Sequence, residues 1–151
     1  MKRLLLVLTV ACSATVSMAQ GENPQIRREI EQVYFKLDRL AEKGDVNGIM
    51  AMVSPSVVVT DVNGRVTGWN EMRAMTRQMA NSMRDIKMNT RIESIQSQGP
   101  EVVAWTSTTA TYRQRKNGAW VPMTMTSRCA HTLKRIDGKW MFVAAQNFPN
   151  T

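Results

Sequence analysis

The segment from Ser127 to Phe148 reads SRCAHTLKRI, then DG, then KWMFVAAQNF, and it gives the clearest indication of the fold. Its two runs, 127–136 and 139–148, are rich in β-forming residues and flank Asp137-Gly138, a dipeptide that readily takes positive φ in a tight hairpin turn. We therefore predict an antiparallel strand pair here. The second strand is expected to lie inside a curved sheet, with the upstream elements closing around it.

The upstream chain predicts helices first and long strands afterwards. Asn23-Pro24 is a typical helix start, and Gly44 is a typical helix end. Helix-period and strand-period patterns together predict an α+β layer fold. The predicted helices run from Pro24 to Gly44, from Asp45 to Pro55 and from Trp69 to about Arg84, and the predicted strands lie at 57–62, 65–67, 86–97, 102–115 and 119–136.

Residues 1–20 have the pattern of a secretory signal. A basic start at Lys2-Arg3 precedes a short apolar run, and Ser17-Met18-Ala19 fits a small-x-small cleavage site. Lipid attachment at Cys12 is the alternative, but the usual leucine before that cysteine is missing. We predict a cleaved signal peptide at 1–20, a single domain at 21–151, and a periplasmic or secreted protein.

The charge and cysteine content exclude several classes of protein. The net charge is +8, but Arg and Lys are scattered along every element, whereas nucleic-acid binding needs a clustered basic stripe. We expect no nucleic-acid partner and, after signal cleavage, no membrane association. Cleavage would leave Cys129 alone, so no internal disulfide is expected and Cys129 is predicted to be a buried, inert thiol.

The order and spacing of three segments carry a family resemblance. These are Gly44-Asp45 through Val62, the sequence GWNEM at 68–72, and Arg128 through Gln146 around the DGKW at 137–140. In these segments the chain resembles the nuclear-transport-factor-2-like superfamily, and particularly its SnoaL-like and ketosteroid-isomerase-like bacterial members. The resemblance implies a cone, in which a strongly curved antiparallel sheet (a cystatin-like roll) wraps around the long first helix and encloses an apolar pocket. It also implies a homodimer that forms through the outer face of the sheet.

The resemblance further implies a catalytic role for Asp61, which falls at the position of the general base in ketosteroid isomerases. Such chemistry needs a carboxylate in an apolar cavity, with hydrogen-bond donors for the developing oxyanion. The position of the isomerase tyrosine falls on Leu37, with Tyr34 one turn away, and the position of its protonated aspartic acid falls on Thr132, so only one of the three roles is kept. The alternative is that Asp61 is a hairpin acid bound to the turn amides beside Asn63-Gly64.

The face that each strand residue presents follows from the same resemblance. If Thr132 points into the cone, Arg128 points inward too, and the only histidine, His131, points outward. An inward Arg128 would need an acidic partner, either Asp61, Asp38 or a ligand, because an unpaired buried charge is costly.

The predicted pocket takes its remaining members from three elements. Tyr34 and Asp38 lie one turn apart on the first helix, and Trp105 is a candidate wall residue. On the final strand, Asn147 is expected to be the one polar group of a face shared with Val143 and Ala145.

Methionine is abundant, with 12 in the chain. Met72, Met75 and Met79 share one helix face, and Met123 and Met125 share one strand face. Thioethers are soft ligands for Cu(I), but filling gaps in the core is the commoner role of methionine. No His or Cys cluster accompanies them in the sequence, so we predict no metal and no cofactor.

These patterns predict a protein that holds a small apolar or carbonyl-bearing molecule inside the cone. The alternatives are an isomerase, cyclase or dehydratase that uses Asp61 as the base, and a ligand-free dimeric interaction module with a filled core. The sequence does not decide between binding and catalysis.

Overall fold

The computed structural model describes residues 22–149. These residues form three helices and one six-stranded sheet. The predicted signal peptide at 1–20 lies outside the described residues. The helices are α1 (Pro24–Glu42), α2 (Val46–Met50) and α3 (Trp69–Ser82). The strands are β1 (Val53–Thr60), β2 (Val66–Thr67), β3 (Met83–Gln98), β4 (Glu101–Lys116), β5 (Ala119–Ile136) and β6 (Lys139–Phe148). Within residues 22–149, none of the helices has the length and apolar character needed to cross a membrane.

The sheet has the order β2-β1-β6-β5-β4-β3, and every neighbouring pair is antiparallel except β1 and β6, which are parallel. The hairpin predicted around Asp137-Gly138 joins β5 to β6, and Asp137 takes the expected positive φ of 50°. β6 lies between β1 and β5, so the prediction that it is an inner strand is confirmed. The sheet is curved and unclosed, which confirms the predicted α+β cone around the first helix.

Helix α1 begins where the sequence predicts it. The side chain of Asn23 accepts hydrogen bonds from the backbone N–H groups of Gln25 and Ile26, at 2.9 and 3.4 Å, and Pro24 occupies the first turn. The helix ends before Gly44, whose φ of +66° favours glycine. Ile30 and Tyr34 then lie in the core with at most 2% of their surface exposed.

The boundaries of two other helices differ from the prediction. Pro55 does not close α2, which ends at Met50; it lies within β1, where the pairing with β6 is irregular between Val53 and Val58. Proline tolerates this position because a locally irregular strand does not need its missing N–H donor. Helix α3 ends at Ser82, two residues before the predicted end, and β3 begins directly after it.

The predicted inner and outer faces of the sheet are reversed. Ala104 and Thr106 of β4 and Leu133 of β5 are buried under α1, whereas Trp105 is only half-buried on the opposite face. The physical reason is the close approach of α1: small side chains on β4 leave room for Ile30 and Tyr34, and an indole there would not fit. Thr132 and Arg128 share the outer face with Trp105, and His131 points inward.

A β-bulge changes which residues of β6 face the core. Leu133 pairs with Phe142 but Thr132 pairs with Ala144, so Val143 is the extra residue on β6. Phe142 therefore lies in the core beside Leu133, and Ala145 lies opposite His131. Val143, which was predicted to share the pocket face, is replaced there by Phe142.

Candidate functional site

The candidate site is a cavity of about 230 Å³ between α3 and the inner face of the sheet. Its walls are mostly apolar. β1 contributes three valines, β6 contributes Phe142 and two alanines, and α1 and α2 contribute Leu37 and Ile49. An apolar cavity with a few polar groups is the usual form of a small-molecule site.

Helix α3 forms the outer wall of this cavity. Glu71 accepts a hydrogen bond from the backbone N–H of Gly68 at 3.3 Å, which fixes the start of the helix. Met72, Met75 and Met79 recur at steps of three and four and all line the cavity. None of the residues of α3 is buried, and the side chains of Met75 and Met79 are 56% and 42% exposed. The wall is thus a row of flexible thioethers that extends from the cavity to the surface.

The polar centre of the cavity is His131, on the inner face of β5. Its Nδ1 lies 2.9 Å from the phenolic oxygen of Tyr34 in α1, and its ring packs edge-on against Phe142, with the centroids 5.4 Å apart. Burial lowers the pKa of His131 to about 4 and raises the pKa of Tyr34 above its ordinary value. Both groups are therefore uncharged at neutral pH.

The second ring nitrogen, Nε2, belongs to a side chain that lines the cavity. The hydrogen bond described for His131 within residues 22–149 uses Nδ1, and Nε2 is not among the fully buried polar atoms that lack a partner, so Nε2 keeps some accessible surface. Asn147 lines the same cavity from β6, and its side-chain amide makes no hydrogen bond among those described for residues 22–149. Two neutral polar groups are thus free to bind an atom in the cavity.

Asp61 lies outside this cavity. Its Oδ1 accepts hydrogen bonds from the backbone N–H groups of Asn63 and Arg65, at 2.8 and 2.9 Å, so the carboxylate stabilises the turn that precedes β2. This is the structural role that the sequence left open as the alternative. Asp61 and Arg128 line a separate surface cleft, together with one side of Asn147.

The other charged residues of the predicted pocket have partners elsewhere. Asp38 accepts hydrogen bonds from the backbone N–H and the hydroxyl of Thr90, at 2.9 and 2.8 Å, and so ties α1 to β3. Arg128 is 48% exposed, and its nearest acid is Glu93, at 3.5 Å. The predicted pairs of Arg128 with Asp61 or Asp38 are absent from the described ion pairs.

Three of the predicted pocket residues thus lie on the wrong face for this cavity: Trp105, Arg128 and Thr132. Asn147 lines the cavity, Tyr34 is connected to it only through its contact with His131, and Asp38 is bound to Thr90 of β3. Cys129, two residues from His131 on the same inner face, is buried, and burial raises the pKa of its thiol to about 12. At neutral pH the thiol is protonated and unreactive.

The sequence prediction missed His131, Phe142 and the methionine wall as members of the site. The available signal was the small size of Ala104 and Ala145, the two residues that flank His131 on neighbouring strands. Two alanines beside an imidazole leave room for a helix to approach, which marks that face as the inner one.

Comparisons with known proteins agree on the fold. A conserved protein from Planctomyces limnophilus has the same fold, with a TM-score of 0.73 and 17% identity over 83% of this chain and 97% of that one. A putative scytalone dehydratase from Novosphingobium aromaticivorans is similar to this chain with a TM-score of 0.74 and 15% identity, and the match covers 84% of this chain and 85% of that one. A putative dehydratase of the NTF2-like family from Streptomyces avermitilis is similar with a TM-score of 0.71 and 9% identity, and the match covers 85% of this chain and 99% of that one.

No curated protein sequence matches the chain. The model of the SnoaL-like domain, in contrast, matches residues 24–143, which span both ends of the sheet and all three helices. The match includes His131 and all three cavity methionines, although it stops before Asn147. The chain therefore belongs to the SnoaL-like family of the nuclear-transport-factor-2-like superfamily.

Proposed function

We propose that the protein binds a small, largely apolar molecule that carries a carbonyl or hydroxyl group. The observation that carries this proposal is the open Nε2 of His131 at an apolar cavity, with the ring held in place by Tyr34 through Nδ1. An apolar molecule would fill the space between α3 and β6. Its oxygen would bind Nε2 and the amide of Asn147.

The size of the cavity limits the ligand. At about 230 Å³ it is smaller than the roughly 300–1,000 Å³ that is typical of sites for drug-sized molecules. The ligand class is thus a compact ring or short chain with one or two oxygen atoms. The presence of this space also argues against the third alternative, an interaction module with a filled core.

Catalysis of the isomerase or dehydratase type is the second candidate function, and His131 favours it more than Asp61 does. Two structural neighbours are named as putative dehydratases. An imidazole at the cavity is placed to accept a proton, whereas the Asp61 carboxylate is bound to turn amides. With a pKa of about 4, however, His131 is a weak base at neutral pH. Binding is therefore the first proposal and proton transfer the second.

The test compares small cyclic ketones with the hydrocarbons of the same shape, using NMR chemical-shift titration. We expect the ketones to bind at least tenfold more tightly, because a hydrogen-bonding site rejects an analogue that lacks the polar group. Asn147→Leu and His131→Phe should each remove this preference. Thr132→Val, next to His131 but on the outer face, is the matched control and should keep it. Equal, weak binding of ketones and hydrocarbons by the wild type would contradict the proposal.

Catalysis is tested separately by incubating the ketones in deuterated water. Deuterium incorporation next to the carbonyl that depends on His131 would establish proton transfer. Incorporation that depends on Asp61 would favour the isomerase-like alternative.

We also propose that residues 1–20 direct export and are removed. The apolar run and the small-x-small site support this proposal. Intact mass spectrometry of the protein purified from its own host should give a chain that begins near Gln20. A mass that retains residues 1–20, or a lipid on Cys12, would contradict it.

A further inference from the structure

We propose that the cavity also holds a soft monovalent metal ion, Cu(I), bound by the thioethers of Met72, Met75 and Met79 and by Nε2 of His131. This proposal does not rest on the proposed organic ligand. The two would share the cavity, so they would compete for it.

The fold brings together donors that are far apart in the sequence. On a helix, residues three and four positions apart have neighbouring side chains, with Cβ atoms roughly 5–6 Å apart. Met72, Met75 and Met79 have these spacings on α3, and all three line the cavity. His131 lines the same cavity from β5. No histidine lies near these methionines in the sequence, but the fold places His131 of the sheet at the same cavity.

The donor set favours a soft ion over a hard one. Thioether sulfur and imidazole nitrogen suit Cu(I), whereas Mg²⁺ and Ca²⁺ require several oxygen ligands, usually carboxylates. Among residues 22–149, no Asp or Glu lines the cavity. Within residues 22–149, no group of three or more His, Cys, Asp or Glu side chains is placed to hold a metal. The site would therefore select Cu(I) by the chemistry of its ligands.

The contact with Tyr34 prepares the ring of His131 for ligation. Nδ1 lies 2.9 Å from the Tyr34 oxygen, so Nδ1–H can donate to the phenol, which leaves the lone pair on Nε2 for a metal ion. Metal-binding histidines commonly use their second ring nitrogen in this way, which fixes the tautomer and the orientation of the ring.

The methionine wall also provides a path for the ion. Met75 and Met79 are 56% and 42% exposed, so an ion in solvent can approach these residues directly. An unbranched thioether with three rotatable bonds can bind an ion at the surface and turn inward with it. A carrier molecule could thus transfer Cu(I) without opening the sheet.

The experiment is an anaerobic titration of the mature protein with Cu(I) in competition with the coloured chelator bicinchoninate. We expect one bound ion per chain. A variant with Met72→Leu, Met75→Leu and Met79→Leu keeps the size and helix propensity of the side chains and should weaken binding at least 100-fold. His131→Gln should weaken it about tenfold, and X-ray absorption of the wild-type complex should show both sulfur and nitrogen neighbours.

The matched control is the double variant Met123→Leu and Met125→Leu on β5, whose side chains do not line the cavity. It should bind Cu(I) as the wild type does. Failure to compete with the chelator, or a loss in the β5 variant as large as in the α3 variant, would overturn the proposal. Asn147→Leu separates the two proposals, since it should remove the preference for ketones and leave Cu(I) binding unchanged.

Discussion

The phenolic oxygen of Tyr34 lies 2.9 Å from Nδ1 of His131, although the two residues are 97 positions apart in the chain. The contact joins the centre of α1 to the C-terminal half of β5 on the inner face of the sheet. It satisfies a hydroxyl that would be costly to bury alone, and it leaves one ring nitrogen for the cavity. The same bond therefore contributes to the stability of the fold and to the chemistry of the site.

Removal of this bond should cost stability. In Tyr34→Phe the partner of Nδ1 is lost inside the protein, and we expect the free energy of unfolding to fall by about 1–3 kcal/mol. Urea denaturation measures the loss. Tyr112→Phe, which changes the other tyrosine of the chain, is the control and should stay within about 0.5 kcal/mol of the wild type. An unchanged stability of Tyr34→Phe would show that the contact is weak in solution.

Stability should depend on pH through the single histidine. The pKa of His131 is about 4 in the folded protein and about 6.5 when exposed, so the unfolded chain binds more protons between these values. The contribution of neutral His131 to the free energy of unfolding should therefore reach its full size above pH 6.5 and decrease as the pH falls towards 4. The limiting slope is about 1.4 kcal/mol per pH unit. Urea unfolding between pH 7 and 5 tests this slope, because carboxylates titrate mainly below that range. His131→Gln should remove it, and a slope that survives in His131→Gln would assign it to other groups.

The role of Asp61 can be separated from catalysis by two substitutions. Asp61→Ala removes the acceptor for the N–H groups of Asn63 and Arg65 and should lower the free energy of unfolding by about 1–2 kcal/mol. Asp61→Asn keeps an oxygen at that position and should stay within about 0.5 kcal/mol. Both variants should bind ketones as the wild type does. Loss of turnover in Asp61→Asn without loss of stability would instead support the base role implied by the family resemblance.

Trp105 tests the predicted homodimer. It lies half-buried on the outer face of the sheet, the face expected to meet a second copy. We expect Trp105→Ser to shift the protein towards a monomer in sedimentation velocity and to leave ketone binding unchanged. Phe35→Ser, which removes an exposed aromatic side chain from α1 rather than from the sheet, is the control and should keep the dimer. A monomeric wild type would contradict the dimer prediction.

The elements were predictable from the sequence because local signals mark their ends. β5 and β6 have the predicted bounds, since Asp137-Gly138 adopts the turn that this dipeptide favours. The start of α1 followed in the same way from Asn23-Pro24. Pro55 misled the prediction of α2, because a proline permits a helix end but also tolerates an irregular strand.

The site was less predictable because it depends on tertiary packing. Period-two alternation identifies two faces of a strand, but only the position of α1 decides which face is inner. Because the sequence prediction chose the wrong inner face for β4 and β5, it assigned Thr132 and Trp105 to the pocket and His131 to the outer face. The bulge at Val143 shifts the alternation of inner and outer residues along β6 by one position, and no local pattern in the sequence VAAQN predicts this shift.

The position of β6 has a consequence for how the chain folds. β6 is the last of the six strands in chain order, yet it is the only strand that hydrogen-bonds to both β1 and β5 within residues 22–149. Until it inserts, the β1–β2 pair and the β3–β5 meander share no strand, and the parallel pairing of β1 with β6 must close a long loop of chain. Such non-local pairing slows folding and prolongs the exposure of strand edges. We therefore expect the late steps of folding, and with them the assembly of His131 and Asn147 into one site, to depend on residues 139–148.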